Sequence, residues 1–390
     1  MNNLTIFFNR YLKFIPIYIF SNYQKNPVRL YLLMPIFGLI YLFKKRDLPK
    51  IFVIYSLVGL IPFIFSASRL DFYGMKRAVL TGLLILFLGF LLEFFTKENL
   101  SKLAKGSFSL IWIFSIFEFL TGQYSHKEIL SGISNYMYPH FQGITGYSNH
   151  SGVLAASLFS LFLADKSYRW ALGTIPLVLV SASRAGFLVM LVALILYFIW
   201  NWKELYSIVV SRFIILCCLF SPLLAVGLEQ VLSDDVKIKL SRLSHHRYAI
   251  QLTYVELAKD KPLGVGVDQS QTQFLNYKDK GSSIVENGKY EIKTGKNANT
   301  GAHNMFIKIL CENGIIPYLI FMFFIFYIGK VGKTVYLIPF SATLTGYLTL
   351  NGLLEFPFYL IMAFMLKEVY EREEGLFKPF LSSLKVKERS

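Results

Sequence analysis

His303 is the residue in this chain whose position most favours proton-transfer chemistry. It lies in "NANTGAHNMFIKILCENGIIPYLIF" (297–321), where a polar, glycine-bearing stretch meets an apolar one. Neutral imidazole has a pKa of about 6.5 and accepts a proton from a hydroxyl group at neutral pH. A lone histidine is also often a structural residue, so the prediction that it is a general base depends on what surrounds it.

Arg184 is the second residue that indicates chemistry. It lies in "SASRAGF", a turn of almost no length between two apolar segments. An arginine at such a boundary either extends its head group into water or binds an anion. The planar guanidinium group donates two parallel hydrogen bonds and stays charged, which suits it to phosphate. We therefore predict an anion site at this turn.

Three further residues are weaker candidates. Asn149 and His150, in "GYSNHSG", begin another apolar segment and either cap a helix or line a cavity. Glu312, a further candidate for lining the cavity, follows His303 by nine residues, which on a helix places it about 13 Å deeper. A packing or helix-positioning role is favoured over acid chemistry there. His245 and His246 are adjacent and lack a third ligand at metal-binding spacing, so no metal site is predicted.

The composition indicates a membrane protein. The chain has 390 residues, of which 54% are hydrophobic, 17% aromatic and 16% charged, and its mean hydropathy is +0.49. Soluble domains carry about 25% charged residues, so a soluble fold is excluded. The net charge of +16 is typical of basic cytoplasmic loops here and does not predict nucleic-acid binding.

The apolar segments predict an all-α polytopic membrane protein with about twelve transmembrane helices and one large, partly helical outward loop. Every second connection between the apolar segments is short and basic, which places these connections and both termini in the cytoplasm. The predicted divisions are 1–228 for helices 1–9, 229–303 for the loop, 304–367 for helices 10–12 and 368–390 for a cytoplasmic tail. The predicted spans lie near 4–22, 28–43, 50–66, 78–95, 107–121, 150–165, 168–181, 184–201, 210–228, 304–328, 333–350 and 352–367.

The large loop has internal order. Apolar residues at helical spacing predict a helix that begins near Arg247 and ends at Pro262 and Gly264. "GVGVDQ" then forms a glycine-bearing turn, where the backbone either approaches a ligand or only reverses direction. The polar stretch 278–301 predicts a mobile segment or a short hairpin around "ENGKY". Besides Arg184, the outward segments carry the cations Arg69, Lys76, Arg77, Arg242, Arg247, Lys259 and Lys261.

Four stretches in this order resemble the O-antigen ligase and polymerase family of bacterial membrane glycan transferases. "SRAGF" resembles the family's Ser-Arg-x-Gly helix start, and "GYSNHSGVLA" its Asn-bearing start of an earlier helix. "RYAIQLTYVELAKDKPLGVGVDQSQTQF" resembles its loop segment of an Arg, a helix and Pro-Leu-x-Gly-x-Gly ahead of a Phe. "AHNMFIKILCENGIIPYLIF" resembles its His-Asn-x-x-Leu-x-x-x-x-Glu-x-Gly pattern, with Phe306 and Ile307 where a leucine is common.

The resemblance implies a donor glycan carried on undecaprenyl pyrophosphate at the outer leaflet of the inner membrane. It assigns Arg184 and Arg247 to the donor diphosphate, with Arg242 as the alternative to Arg247, and His303 to catalysis. No metal, nucleotide or other cofactor is implied. The site would face the periplasm, and a single displacement would invert the anomeric centre.

Several functions stay open at this stage. A ligase transfers the finished glycan to lipid A–core, and we favour it over a polymerase, which transfers it to another lipid-linked repeat. A third relative would glycosylate protein. A secondary transporter is the alternative from another class, but the ionisable residues gather at the outer boundary rather than at the bilayer midplane, where transporters place them.

Overall fold

The computed structural model describes residues 34–45, 47–68, 71–121, 148–233, 235–236, 239, 247–266, 269–277, 302–332, 334–350 and 356–379. Within these ranges the regular elements are helices and no strand is present, which confirms the all-α prediction for the described part of the chain. Pro49 and Pro379 form an isolated bridge.

The helices follow the apolar segments of the sequence. They are α1 Met34–Lys44, α2 Lys50–Ser68, α3 Phe72–Phe94, α4 Lys97–Leu120, α5 Ser148–Ala164, α6 Tyr168–Ser181, α7 Arg184–Trp202, α8 Glu204–Leu219, α9 Ser221–Val231, α10 Arg247–Asp260, α11 Ser270–Tyr277, α12 Met305–Asn313, α13 Ile315–Val331, α14 Leu337–Tyr347 and α15 Phe356–Glu371, followed by a 3₁₀ turn at Gly375–Phe377.

Several of these helices have the length and composition of membrane spans. Among the described residues, three qualify, namely Lys50–Ser68, Lys97–Glu118 and Arg184–Trp202, and a fourth if the bent pair α8–α9 is one span. Shorter apolar helices lie at Pro35–Lys44, Ile85–Phe94, Asn149–Ala164 and Ile315–Val331. The chain is therefore a multi-pass membrane protein, and the number twelve stays a prediction.

The connections that the sequence predicts to be cytoplasmic lie together at one end of the bundle, which we call the basic end. Glu93 pairs with Lys45 at 3.0 Å and accepts a hydrogen bond from Tyr370, so the ends of α1 and α3 meet the last helix. The same end contains contacts from Ser101 and Tyr336 to Asp165, from Arg212 to the carbonyl groups of Gly329 and Lys330, and from Lys50 to Lys378.

Two predicted spans are broken in the structure, so the prediction that each is one continuous helix is wrong. Segment 304–328 divides at Gly314, whose φ of +87° lies outside the helical region. Segment 210–228 divides at Phe220, where the chain bends by 70°. Pro222 follows in the first turn of α9, where its missing N–H costs nothing.

The short helices at the other end, which we call the site end, have an apolar core of their own. Tyr254 of α10 packs on Phe274 of α11, with ring centroids 5.4 Å apart, and both join Ile307 and Cys311 of α12 in one buried cluster. The Cys311 thiol donates to the Tyr254 carbonyl at 2.8 Å. This packing holds α10 and α12, which carry the residues singled out by sequence, in fixed relation.

Candidate active site

His303 lies in a turn just before α12 rather than on the helix. Asn304 is the N-cap, and its side-chain oxygen accepts hydrogen bonds from the backbone N–H groups of Phe306 at 2.9 Å and Ile307 at 3.2 Å. His303 has a φ of +48°, the left-handed conformation that histidine adopts more readily than most residues. The imidazole is therefore placed by the turn, not by the helical repeat.

A glutamine on α10 holds the backbone of this turn. The Gln251 side-chain nitrogen donates to the His303 carbonyl at 3.3 Å and to the Leu348 carbonyl, just after α14, at 3.4 Å. Gln251 follows Arg247 by four residues, so both lie on the same face of α10. Gln251 carries no local sequence signal for this role, because its partners are 52 and 97 residues away in the chain.

The electrostatic surroundings of His303 keep its imidazole neutral. Burial is the largest cause that lowers its pKa, and the positive charge of Arg247 and the neighbouring His150 act in the same direction, so that together they bring the pKa to about 4. At neutral pH the ring is therefore unprotonated and has a lone pair free to accept a proton. The structure thus brings together three elements far apart in the chain, namely α5, α10 and the turn before α12.

The two arginines that the family resemblance selects also interact with each other. Burial lowers the pKa of Arg247, and the charge of Arg184 lowers it further. Arg184 is exposed and is the first residue of α7, while Arg247 is half-buried and is the first residue of α10. An anion placed between the two guanidinium groups would remove their mutual repulsion.

The turn that carries Arg184 is fixed by close packing. Ser183 caps α7 by accepting from the Gly186 N–H at 3.1 Å, and its hydroxyl donates to the Asn149 carbonyl at 3.2 Å. A Cβ on Gly186 would lie 2.7 Å from the Gly152 carbonyl oxygen, so no larger residue fits between α5 and α7. This contact sets the first turn of α5, and with it His150, beside Arg184.

Four helices begin at this place. Arg184 and Arg247 start α7 and α10, His150 lies in the first turn of α5, and Asn304 caps α12. Helix starts present N–H groups and a partial positive charge, which attract anions. The helix starts and the arginines together favour a ligand that carries several negative charges.

Glu312 has a structural environment. Its carboxylate is buried, accepts from the Ser270 hydroxyl at 2.6 Å and lies 3.8 Å from the Lys308 ammonium group. These contacts tie α12 to the start of α11, which agrees with the helix-positioning role that the sequence favours.

The glycine-bearing turn after α10 caps the helix break at Gly314. Gly264 and Gly266 have φ values of +85° and +108°. The N–H groups of Val265 and Gly266 donate to the last carbonyls of α12 at 2.9 and 3.0 Å, and the Pro262 carbonyl accepts from the Ile315 N–H at 2.8 Å. The glycines therefore allow the backbone of this turn to approach the backbone at the break between α12 and α13.

Some predicted features lie outside the described residues, namely the first predicted span (4–22), Arg69, Arg242, His245, His246 and the hairpin around "ENGKY". The choice between Arg242 and Arg247 stays open for that reason, although Arg247 is near His303. Within the described ranges, no group of three His, Cys, Asp or Glu residues is placed to hold a metal ion.

A family model described as O-antigen ligase matches residues 171–322, a range that contains Arg184, Arg247 and His303. No curated protein and no solved structure matches the chain. The family resemblance indicated by the sequence motifs is therefore confirmed over this range.

Proposed function

We propose that this protein is an O-antigen ligase that transfers a glycan from undecaprenyl pyrophosphate to lipid A–core, at the periplasmic face of the bacterial inner membrane. One observation carries the proposal: two arginines and an unprotonated histidine, from three separate elements, interact electrostatically within the range that matches the family. The polymerase reaction, with a second lipid-linked repeat as acceptor, uses the same chemistry and is the alternative.

The arginines would bind the donor diphosphate. A lipid diphosphate is already a charged leaving group, so it needs positive charge near its oxygens rather than a carboxylic acid to protonate it. Arg184 and Arg247 would supply that charge, and the starts of α7 and α10 would add N–H donors. Asn149 and His150 would lie along the wall of the same site, where the start of α5 meets the Arg184 turn.

His303 would act as the general base. The acceptor hydroxyl oxygen attacks the anomeric carbon, its proton passes to the imidazole, and the bond from that carbon to the diphosphate oxygen breaks with its electron pair. The lipid diphosphate then leaves, and the single displacement inverts the anomeric centre. General-base catalysis of this kind contributes about 10²–10⁴ in rate.

Donor binding would also strengthen this base. A pKa of about 4 makes the imidazole a weak proton acceptor, and part of the lowering comes from the positive charge of Arg247. The diphosphate would cancel that charge and raise the pKa of His303 towards its ordinary value. The base would then be at its strongest when the donor is in place.

The arrangement in the membrane follows from the two ends of the bundle. Lys and Arg collect in cytoplasmic connections, so the basic end would face the cytoplasm together with both termini. The site end would then face the periplasm, with 229–303 as the loop above it. Substrate lipid, glycan and water meet at that depth, which explains why a histidine would lie there.

The test is transfer in vitro by the full-length protein in lipid vesicles, from a synthetic polyprenyl-diphosphate glycan, without added metal. We expect His303→Ala to lose about 10²–10⁴ of the rate and to insert normally. Lys259→Ala, at an exposed cation on α10, is the matched control and should keep full activity. Full activity in His303→Ala would remove the assignment.

The choice of acceptor separates ligase from polymerase. Each reaction receives either lipid A–core or a second lipid-linked repeat, and a ligase extends only the first. In cells that lack the gene, unattached long chains indicate a ligase and single repeats on the core indicate a polymerase.

A further inference from the structure

The helix α9 exposes an apolar face that neither the small core nor the helix bundle covers among the described residues. At 100° per residue, Leu223, Leu224, Leu228 and Val231 fall within an arc of about 140°. Their exposed fractions are 66%, 49%, 45% and 82%, and the only other residue on this arc is Gly227. A helix that faces water would carry polar residues on such an arc.

The opposite side of α9 is attached to the protein. Pro222 and Ala225 are buried, Val226 packs on the small core, and α9 contacts α10 and α12. The Ser221 hydroxyl also accepts from the Asn304 side-chain nitrogen at 3.3 Å. The position of α9 is therefore linked directly to the residue next to His303.

The exposed face of α9 continues an exposed apolar surface on α8. Val209, Phe213 and Phe220 form an exposed apolar stripe along α8 that leads to Leu223. The chain bends by 70° between the two helices. If α8 runs across the bilayer, a helix bent by this angle lies close to the plane of the membrane surface.

A second exposed apolar patch lies on the same group of short helices. Leu263 is exposed in the turn after α10, beside the exposed Ile315 and Ile316 at the start of α13. The hydrogen bond from the Ile315 N–H to the Pro262 carbonyl fixes this turn against α13. The short helices at the site end thus present apolar residues at two separate points, each continuous with an apolar helix of the bundle.

We propose that α9 is an interfacial helix, with Leu223, Leu224, Leu228 and Val231 seated among the acyl chains of the lipid leaflet on the site's side of the membrane. Interfacial helices bury their apolar face about 5–10 Å into this boundary. Through the contact between Ser221 and Asn304, α9 fixes the depth of His303 relative to the lipids. The proposal concerns the bilayer and does not rest on the transfer reaction.

The experiment measures the surroundings of single positions in the full-length protein in lipid vesicles. A cysteine is introduced by Leu224→Cys or Leu228→Cys and labelled with a nitroxide, and its collisions with oxygen and with a water-soluble nickel complex are recorded. Leu191→Cys, at an exposed apolar residue of the span α7, is the lipid reference, and Thr272→Cys, at an exposed residue of α11, is the water reference. The native cysteines are buried or half-buried, and the wild-type chain gives the labelling background.

We expect positions 224 and 228 to match position 191, with strong oxygen and weak nickel collisions and a depth of about 5–10 Å below the headgroups. Nickel collisions as strong as those at position 272 would mean that α9 faces water and would overturn the proposal. Weak collisions with both reagents would mean that protein covers α9, from this chain or another, and would overturn it equally. None of these readouts depends on enzymatic activity.

Discussion

At the residue scale, the site depends on His303 being both neutral and held in place. Its pKa is low because of burial first and then the charges of Arg247 and His150. Its left-handed backbone conformation is uncommon for a residue with a side chain and persists only where neighbours enforce it. Gln251 and the Asn304 cap hold the two sides of this residue, so both the pKa and the direction of the imidazole depend on groups outside the ring.

Gln251→Met tests this dependence, because methionine keeps the length of the side chain and removes the donor. A base must be unprotonated, so wild-type kcat/KM, which reports the free enzyme, should fall only as the pH drops through about 4. In the variant the turn relaxes away from Arg247, so this acid limb should move to higher pH, but it should stay below the ordinary value because burial, the larger cause, remains. We expect kcat to fall about 10–100-fold with a smaller change in the KM for the donor, since both arginines remain.

The control for this variant is Lys259→Met, on the exposed face of the same helix. It should leave both kcat and the acid limb unchanged. If Gln251→Met also leaves them unchanged, the hydrogen bond to the His303 carbonyl does not position the base.

At the element scale, the structure depends on a broken helix. α12 and α13 would form one continuous apolar segment if Gly314 did not interrupt them, and the turn after α10 supplies the hydrogen bonds that the break leaves open. The break separates α12 from α13 and leaves Lys308 and Glu312 on the short helix, which packs against α10 and α11.

Gly264→Ala should destabilise the protein by roughly 1–3 kcal/mol, the usual range for backbone strain at one residue. Its φ of +85° disfavours a side chain, and a Cβ would lie 2.5 Å from the Glu312 carbonyl oxygen, a backbone atom that cannot move aside. Gly227→Ala is the matched control, because a Cβ there meets nothing within 4 Å. In the helix α9, this change should stabilise by about 0.5–1 kcal/mol.

Thermal unfolding of the purified protein measures both changes. We expect Gly264→Ala to lower the unfolding temperature and Gly227→Ala to raise it. Equal and small effects would mean that the turn after α10 does not support the helix break.

The sequence predicts the parts of this architecture that depend on local signals. The helix from Arg247 to Asp260, ended by Pro262, follows from apolar spacing and turn residues and is confirmed. The breaks at Phe220 and Gly314 are missed, although Pro222 and the polar run "ENG" (312–314) are local signals for them, because the apolar segments on either side are joined into single spans. The cap at Gly314 could not be predicted, because it comes from a turn about fifty residues earlier in the chain. The contacts of Gln251 are missed for the same reason, since they join residues distant in sequence.

At the scale of the whole molecule, the two ends of the bundle differ in chemistry. The basic end joins short connections through ion pairs such as Lys45 with Glu93, while the site end gathers helix starts, two arginines and His303. Successive connections of the chain alternate between the two ends. This alternation is the pattern expected when successive helices cross a bilayer in opposite directions.

The sidedness of the two ends can be measured directly. Glu371→Cys places a thiol at the basic end and Lys259→Cys places one at the site end, and both side chains are more than half exposed, at 58% and 52%. In spheroplasts, a membrane-impermeant maleimide should label position 259 at once and position 371 only after the membrane is permeabilised, because basic connections stay in the cytoplasm. The wild-type chain, whose cysteines are buried or half-buried, gives the background. Labelling of position 371 in intact spheroplasts would reverse the orientation. The proposed site would then face the cytoplasm, which contradicts the proposed transfer at the periplasmic face.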